Sequence, residues 1–170
     1  CVKLSDSQNR LKWIVAGAAL IFLVGTSGSI AALSSMIFPS GTITEGIAKD
    51  FSPTSHLLLR LRLLHPILAV GGAVCLVFWA GRLKREAENS AISRWANALS
   101  ALVIVQLAFG ALTLLTLGPI LMQLGHLLLA DAVWIAFVLL SANLLSAPVA
   151  ADQLLDRQFA PASTIASSES

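Results

Sequence analysis

The sequence predicts an all-α integral membrane protein, a four-helix bundle with both termini in the cytoplasm. Of its 170 residues, 56% are hydrophobic and 12% are charged, and this charged share is about half of that in typical soluble domains. Several uncharged runs exceed the length of about 18 residues that a helix needs to span a bilayer. These observations exclude a soluble enzyme with a polar surface. The formal net charge of +2, with basic residues scattered over ends and short loops, argues against nucleic acid as a partner.

The hydropathy pattern divides the chain into four membrane spans between two polar ends. The uncharged stretch that begins at Trp95 is too long for one helix, and Gly118 and Pro119 supply its break. The carboxy-terminal segment is rich in Ser and Ala and lacks hydrophobic periodicity, which predicts disorder. In order, the segments are a cytoplasmic arm at 1–12, spans at about 13–38, 54–81, 95–117 and 120–146, and a disordered cytoplasmic tail at 147–170.

The distribution of Lys and Arg predicts the orientation of the spans. Most basic residues lie in the arm, in the loop between spans two and three, or in the tail, and positive charge marks cytoplasmic segments. The opposite side has Lys49, with Arg60 and Arg62 at the entrance to span two. The segment 39–53 therefore becomes an external loop with room for a short surface helix. The inner interface then holds three tryptophans, Trp13, Trp79 and Trp95.

Two histidines lie at similar depth in spans two and four. His65 is 14 residues from Trp79, about 21 Å above the inner interface, and His126 is 17 residues from Asn143, about 26 Å. Two neutral imidazoles at one height in a helix bundle can supply both axial ligands of a haem iron. Small residues follow His65 on its helix face and leave room for a flat macrocycle. They are Ala69, Gly72 and Ala73.

Other polar residues stand close to these histidines along the chain. Arg62 lies one turn before His65, and with Arg60 it could hold the haem propionates, although both could simply snorkel to the interface. Gln123 lies one turn before His126 and could cap a propionate or orient a ligand. Each half also joins a helix with small residues to a helix with one histidine, which resembles a weak internal repeat. The small residues are Gly25, Gly28 and Ser29 in the first half and Gly110 in the second.

The histidines also have simpler explanations. A membrane histidine often makes only a hydrogen bond to a neighbouring helix, and two histidines could move protons or substrate together with Asp131. Asp131 lies five residues after His126 and on a different face, so we expect a buried partner or a capped contact for it. Gln106 is predicted to be a helix contact and not a site residue. On spacing alone, haem ligation, structural hydrogen bonding and transport remain open.

The stretches QLGHLLLADAVWIAFVLL at 123–140 and RLRLLHPILA at 60–69 resemble the two histidine-bearing helices of the haem A synthase family. The resemblance covers about residues 13–146. It implies a fold of two similar four-helix halves, each with a histidine on its second and fourth helix. It also implies a cell-membrane oxidoreductase that oxidises a ring methyl of haem O to the formyl group of haem A for cytochrome oxidase assembly. His65 and His126 match the paired axial ligands of the haem iron.

Departures from the family pattern indicate which half the chain resembles. Arg62 stands where the amino-terminal half has a glutamate linked to catalysis, and the loop 39–53 lacks the cysteine pair of many members. Both features favour the carboxy-terminal half, which in the family holds a haem b as prosthetic group. Haem O and haem A are the substrate and product of the family's reaction. The expected partners are membrane lipid and either the missing amino-terminal half or a second copy of this chain. The resemblance assigns neither an electron donor nor a catalytic residue.

Two alternative functions fit the same hydropathy. A four-helix cytochrome b electron carrier would keep the paired ligands, whereas a cofactor-free scaffold or transporter would not need them. We expect the isolated chain to bind haem without making haem A.

Overall fold

A computed structural model describes the backbone of residues 2–52, 56–86 and 89–159, and the side chains of residues 8–49, 51–52, 56–85 and 89–146. These described residues form helices and no strand, which confirms the all-α prediction. The helices are α1 (Val2–Ile37), α2 (Ile43–Asp50), α3 (Leu57–Glu86), α4 (Ser90–Leu115) and α5 (Ile120–Phe159).

Four of the helices are long and apolar enough to cross a membrane. Their apolar segments are 26 to 30 residues long, more than the roughly 20 that a hydrocarbon layer of about 30 Å requires. The predicted four-span membrane fold is thus confirmed, while the orientation of the termini stays a prediction. The segments are Gln8–Ile37, Leu57–Arg85, Ser90–Leu115 and Ile120–Ser146.

The helices continue beyond the predicted spans into charged segments. Helix α3 runs to Glu86 and α4 begins at Ser90, so their connection is shorter than expected. Helix α5 continues to Phe159, whereas the sequence pattern predicted a disordered tail from residue 147 onward. Hydropathy marks where a helix leaves the membrane, but helix propensity marks where it ends, and Ala, Leu, Gln, Glu, Lys and Arg all favour helix. The rest of the predicted tail, 160–170, lies outside the described residues.

The four long helices pack as a ring in chain order. Helix α1 packs on α3, α3 on α4 and α4 on α5, and a smaller contact between α1 and α5 closes the ring. Helices α3 and α5 therefore stand diagonally across the bundle. Because short connections join α3 to α4 and α4 to α5, consecutive helices are antiparallel and α3 and α5 run in the same direction. We call the end at which α3 and α5 begin the outer end, and the opposite end the inner end.

The hydrophobic core occupies the inner half of the bundle. Its members in α3 begin at Ala73, those in α4 end at Val103, and those in α5 begin at Val133. Leu99 and Leu140 are completely buried in this cluster. Such packing supplies most of the cohesion between helices in a membrane, where lipid is as apolar as the side chains. The outer half, which carries both histidines, contributes no fully buried residue to the cluster.

Gly118 and Pro119 make the predicted break between α4 and α5. Leu117 and Gly118 both have a positive φ, 59° and 63°, and this left-handed conformation costs a non-glycine residue about 1–2 kcal/mol. The Gly118 N–H donates to the Thr113 carbonyl at 2.8 Å, and the Gln123 amide donates to the Gly118 carbonyl. These bonds fix the register of α4 against α5.

The external loop contains a short surface helix, α2. Thr42 caps it by accepting from the Glu45 N–H at 3.2 Å, and the Gly41 N–H donates to the Glu45 carboxylate at 2.9 Å. Lys49 pairs with Glu45 at 2.7 Å. The hydrogen bond from Lys49, followed by that from Gly41, holds the pKa of the Glu45 carboxyl below its ordinary value.

The lowered pKa of Glu45 predicts that α2 loosens in acid. A carboxyl with a lowered pKa stabilises the folded state above its ordinary pKa, and this contribution is lost as the pH falls through the lowered value. We expect the Gly41 and Glu45 amides to lose hydrogen-exchange protection as the pH falls below the ordinary pKa range of a glutamate carboxyl, while the membrane helices stay protected. In Glu45→Gln, protection of α2 should not change with pH. Acid-independent protection in the wild type would contradict the prediction.

Candidate functional site

His65 lies on α3 against α1, in the outer half of the bundle. Its Nδ1 is 3.0 Å from the hydroxyl oxygen of Ser27. Its ring faces Gly28, where an added Cβ would come within 2.9 Å of the imidazole Cε1. Since real Cβ atoms do not approach other atoms so closely, the ring occupies this position only because residue 28 has no side chain.

The hydrogen bonds of Ser27 define which nitrogen of His65 is available. The Ser27 hydroxyl donates to the Val24 carbonyl at 2.7 Å, so its oxygen accepts the proton of the His65 Nδ1. This tautomer leaves the lone pair of Nε2 free. A histidine that ligates a metal usually has its other nitrogen held in this way.

His126 lies on α5 against α4 and repeats the arrangement. Gly110 takes the place of Gly28, because a Cβ there would approach the His126 Cε1 to 2.8 Å. The Phe109 ring lies parallel to the imidazole, with 6.5 Å between centroids and 4° between planes. Gln106 donates to the His126 carbonyl at 3.0 Å, and its amide nitrogen lies 3.4 Å from the His126 Nε2.

Two buried polar atoms beside α4 and α5 lack a hydrogen-bond partner among the described residues. They are Nδ1 of His126 and Oε1 of Gln106. A buried polar atom without a partner costs about 1–3 kcal/mol, and in native proteins such atoms often mark a place where another group binds. The second nitrogen of His126, Nε2, has only the long contact with Gln106. This imidazole therefore retains capacity for a further ligand.

The bundle brings the two histidines to the same end. His65 is 8 residues from the start of α3 and His126 is 6 residues from the start of α5, which is about 12 Å and 9 Å along parallel helices. We call the pairs Gly28–His65 and Gly110–His126, with Ser27 and Gln106, the outer site.

The structure places the two predicted propionate-binding arginines at the outer end. Arg62 is half-buried one turn above His65, and its guanidinium nitrogens lie 3.5 Å from the Ser35 hydroxyl and 3.5 Å from the Gly46 carbonyl. Arg62 thus connects α3 with α1 and with the surface helix α2. Arg60 is exposed.

Gln123 and Asp131 flank His126 on α5. The Gln123 amide donates to the Gly118 carbonyl, so it stabilises the turn beside the outer site. Asp131 is exposed on the bundle surface, whereas its place in an apolar span predicted a buried partner or a capped contact. Five residues rotate the helix by about 140° from His126, onto a face that the described helices of this chain leave open.

Ser27 and Gln106 are site residues that were not assigned from the sequence. A signal for Gln106 does exist, because Gly110 and His126 are each eight residues from Gly118 and face each other across the tight turn. Gln106 lies one helical turn beyond Gly110 on the same face. Ser27 has no comparable signal, since the long connection between α1 and α3 leaves their register undetermined.

Comparison with known protein families identifies the chain. Residues 3–138 match the COX15-CtaA family, described as cytochrome oxidase assembly protein. This chain belongs to that family, the haem A synthase family. The resemblance found in the two histidine-bearing stretches is therefore confirmed. Family membership supports a role in cytochrome oxidase assembly, and together with the four apolar helices it indicates a membrane protein.

This member of the haem A synthase family is also similar to part of two larger proteins, which come from two strains of Thermus thermophilus. Both are named protoheme IX farnesyltransferase, and the chain is 41% identical to one and 40% identical to the other, over 128 residues in each case. Each match covers 75% of this chain and 21% of the relative, so the chain spans about a fifth of their length. No solved structure gives a significant match.

Proposed function

We propose that this chain is the haem-binding half of a haem A synthase, with His65 and His126 as the axial ligands of a haem b iron. The repeated glycine–histidine pair carries the proposal. On two parallel, diagonal helices, each imidazole lies against a glycine of the preceding long helix at the same end of the bundle. Polar side chains inside a membrane are costly. A haem with two axial histidine ligands requires two such side chains at the same depth in the membrane.

The residues of the outer site fit a haem. The unpartnered atoms of His126 and Gln106 and the free Nε2 of His65 are suited to an iron ligand set, and the inner hydrophobic core leaves the outer half for a flat group. When bound, the haem supplies one-electron redox chemistry at its iron. Ser27 holds the Nδ1 proton of His65, Gln106 holds the α5 backbone at His126, and the surrounding apolar side chains exclude water.

Arg62, Arg60 and Gln123 are the proposed partners of the propionate groups. The contacts of Arg62 with Ser35 and Gly46 are to neutral groups and are long, 3.5 Å each. A guanidinium has five N–H donors, and hydrogen bonds to a carboxylate are shorter and stronger than those to neutral groups. Arg62 therefore brings a positive charge to the position above His65 where a propionate would lie, with Arg60 close by. Gln123 stands at the same height above His126.

The oxidation of haem O to haem A is assigned to a second four-helix unit, either an amino-terminal half or a second copy of this chain. Arg62 stands where the resemblance places a glutamate in the catalytic half, so this chain holds haem b and contributes no proposed catalytic residue. The name of the Thermus relatives refers to protoheme IX. This name is consistent with a haem-binding role for the segment that matches this chain. The proposed location is the cell membrane, with both termini in the cytoplasm.

Asp131 indicates where the second unit packs. On translocon-based scales a charged residue such as Asp at a helix centre costs about 2.5–3.5 kcal/mol, and the exposed Asp131 faces no other described helix of this chain. We expect Asp131→Asn to raise the Tm of the isolated chain in detergent by about 2–4 °C, the shift that about 1 kcal/mol produces in a protein of this size. Leu128→Ala, at another exposed position, should not raise it. A lower Tm for Asp131→Asn would show that Asp131 serves the fold of the single chain.

The proposed function is tested by the visible spectrum of the detergent-purified full chain after haem supplementation, oxidised and dithionite-reduced. A low-spin haem spectrum with about one haem per chain is expected. Extraction should yield haem b only, whereas haem A formed by the isolated chain would contradict the assignment to a non-catalytic half. A colourless chain would contradict the assignment of His65 and His126 as haem ligands and would favour a cofactor-free scaffold or transporter. Haem A formation on co-expression with an amino-terminal half separates this function from a simple cytochrome b carrier.

Ser27→Ala is expected to weaken haem binding about 10–100-fold, the usual loss when the outer partner of a metal-ligating histidine is removed. The matched control is Ser29→Ala, because the Ser29 hydroxyl is exposed and donates only to the Gly25 carbonyl of its own helix at 3.2 Å. Haem titrations in detergent measure both affinities. Equal affinities for the two variants would contradict the role of Ser27.

A further inference from the structure

A cleft of about 350 Å³ lies at the inner end of α3, far from the outer site. It is lined by Val77, Phe78, Gly81, Arg82 and Arg85. Arg82 is 17 residues beyond His65, about 26 Å along the helix. The cleft therefore belongs to neither the histidines nor their glycines.

The lining of the cleft is apolar on one side and cationic on the other. Val77 and Phe78 are on the membrane side, and Phe78 is 63% exposed. Arg82 and Arg85 follow one and two turns later and are exposed. The Arg82 guanidinium lies 4.9 Å from the centre of the Phe78 ring, a cation–π contact that orients the charge over the apolar side.

Neither arginine is paired with a carboxylate among the side chains that the structure describes. Gly81 sits between the two sides, and a Cβ placed there would meet nothing within 4 Å, so the space above the backbone is open. Trp79 lies on the preceding turn, where amphipathic rings mark the boundary between hydrocarbon and headgroups. The guanidinium groups are thus at headgroup height, and the exposed Phe78 is at the height of the acyl chains.

We propose that this cleft binds an anionic phospholipid, with the phosphate on Arg82 and Arg85 and an acyl chain along Val77 and Phe78. Guanidinium groups bind phosphate oxygens through paired N–H donors. A free phosphate would use only the cationic side, whereas a lipid uses both. Each basic residue near an anionic surface contributes about 1 kcal/mol, and about 1.4 kcal/mol is a factor of ten. Two arginines therefore predict a preference of about thirtyfold for phosphatidylglycerol over phosphatidylcholine.

The experiment uses the full chain in detergent and measures bound lipid by native mass spectrometry during titration with phosphatidylglycerol or phosphatidylcholine. The double variant Arg82→Gln with Arg85→Gln should lose the thirtyfold preference. The matched control, Lys84→Gln with Arg94→Gln, changes the same charge at the same end but does not line the cleft, and it should keep the preference. An equal loss in both double variants would show non-specific attraction and overturn the proposal.

Two further measurements keep the proposal testable. If the double arginine variant does not fold, Phe78→Leu retains both charges but removes the cation–π contact, and it should lower phosphatidylglycerol binding several-fold. An unchanged affinity in Phe78→Leu would contradict the proposed orientation of Arg82. Inorganic phosphate at millimolar concentration should not displace the lipid, and full displacement would show a simple anion site instead. None of these results depends on haem, so they stand apart from the proposed function.

Discussion

Replacing either His65 or His126 with alanine is expected to remove the low-spin haem spectrum. Loss of one axial ligand leaves a five-coordinate, high-spin iron, and loss of both leaves no bond from the protein to the iron. Removal of an outer partner alone lowers metal affinity about 10–100-fold, so removal of a direct ligand should lower haem affinity by more than about 100-fold. Haem titration followed at the Soret band measures affinity and spin state together.

The third histidine provides the matched control for this prediction. His56 is exposed before α3, its ring centre is 5.5 Å from that of Phe38, and its Nδ1 accepts from the Leu58 N–H at 3.3 Å. His56→Ala should keep the wild-type haem spectrum and affinity. Paired ligation would be wrong if His56→Ala lost haem as completely as the other two variants, or if only His65 or only His126 mattered.

Gly28→Ala and Gly110→Ala are expected to disturb haem binding without unfolding the bundle. The added Cβ atoms would lie 2.9 Å and 2.8 Å from the Cε1 atoms of His65 and His126, so each imidazole must move by several tenths of an ångström. Alanine also favours helix over glycine by about 0.8–1.0 kcal/mol, which offsets part of the steric cost. We expect the Tm to change by only a few degrees, while haem affinity falls about tenfold or more.

Gly25, on α1 like Gly28, and Gly71, on α3, are the control positions. A Cβ at either position meets nothing within 4 Å, so alanine should leave haem binding unchanged and raise helix stability slightly. Thermal unfolding and haem titration on the four variants separate the two effects. Similar haem affinities for Gly25→Ala and Gly28→Ala would show that the close approach of Gly28 to the His65 ring is unimportant for binding.

Hydropathy and turn residues sufficed to predict the four spans, since a bilayer imposes a minimum length on every apolar helix. The break at Gly118 and the surface helix in the external loop also followed from local chemistry. Helix ends were harder to place. The continuation of α5 to Phe159 depends on helix propensity outside the membrane, which carries no hydropathy signal.

The histidines and their glycines could be recognised in the sequence, but their polar neighbours could not. Ser27 reaches His65 across 38 positions of sequence, and that distance depends on how α1 packs against α3. The outward position of Asp131 likewise depends on which faces the neighbouring helices cover. Periodicity shows that two residues share a face, but only packing decides what that face meets.

The concentration of the hydrophobic core in the inner half also bears on the order in which the helices come together. Local stability follows the density of buried contacts, so the inner half is expected to be the last part of the bundle to open. A newly inserted chain is therefore expected to pack its helices at the inner end first. If the outer site binds haem as proposed, the cofactor enters a bundle that is already assembled, and the apoprotein is a discrete precursor in maturation.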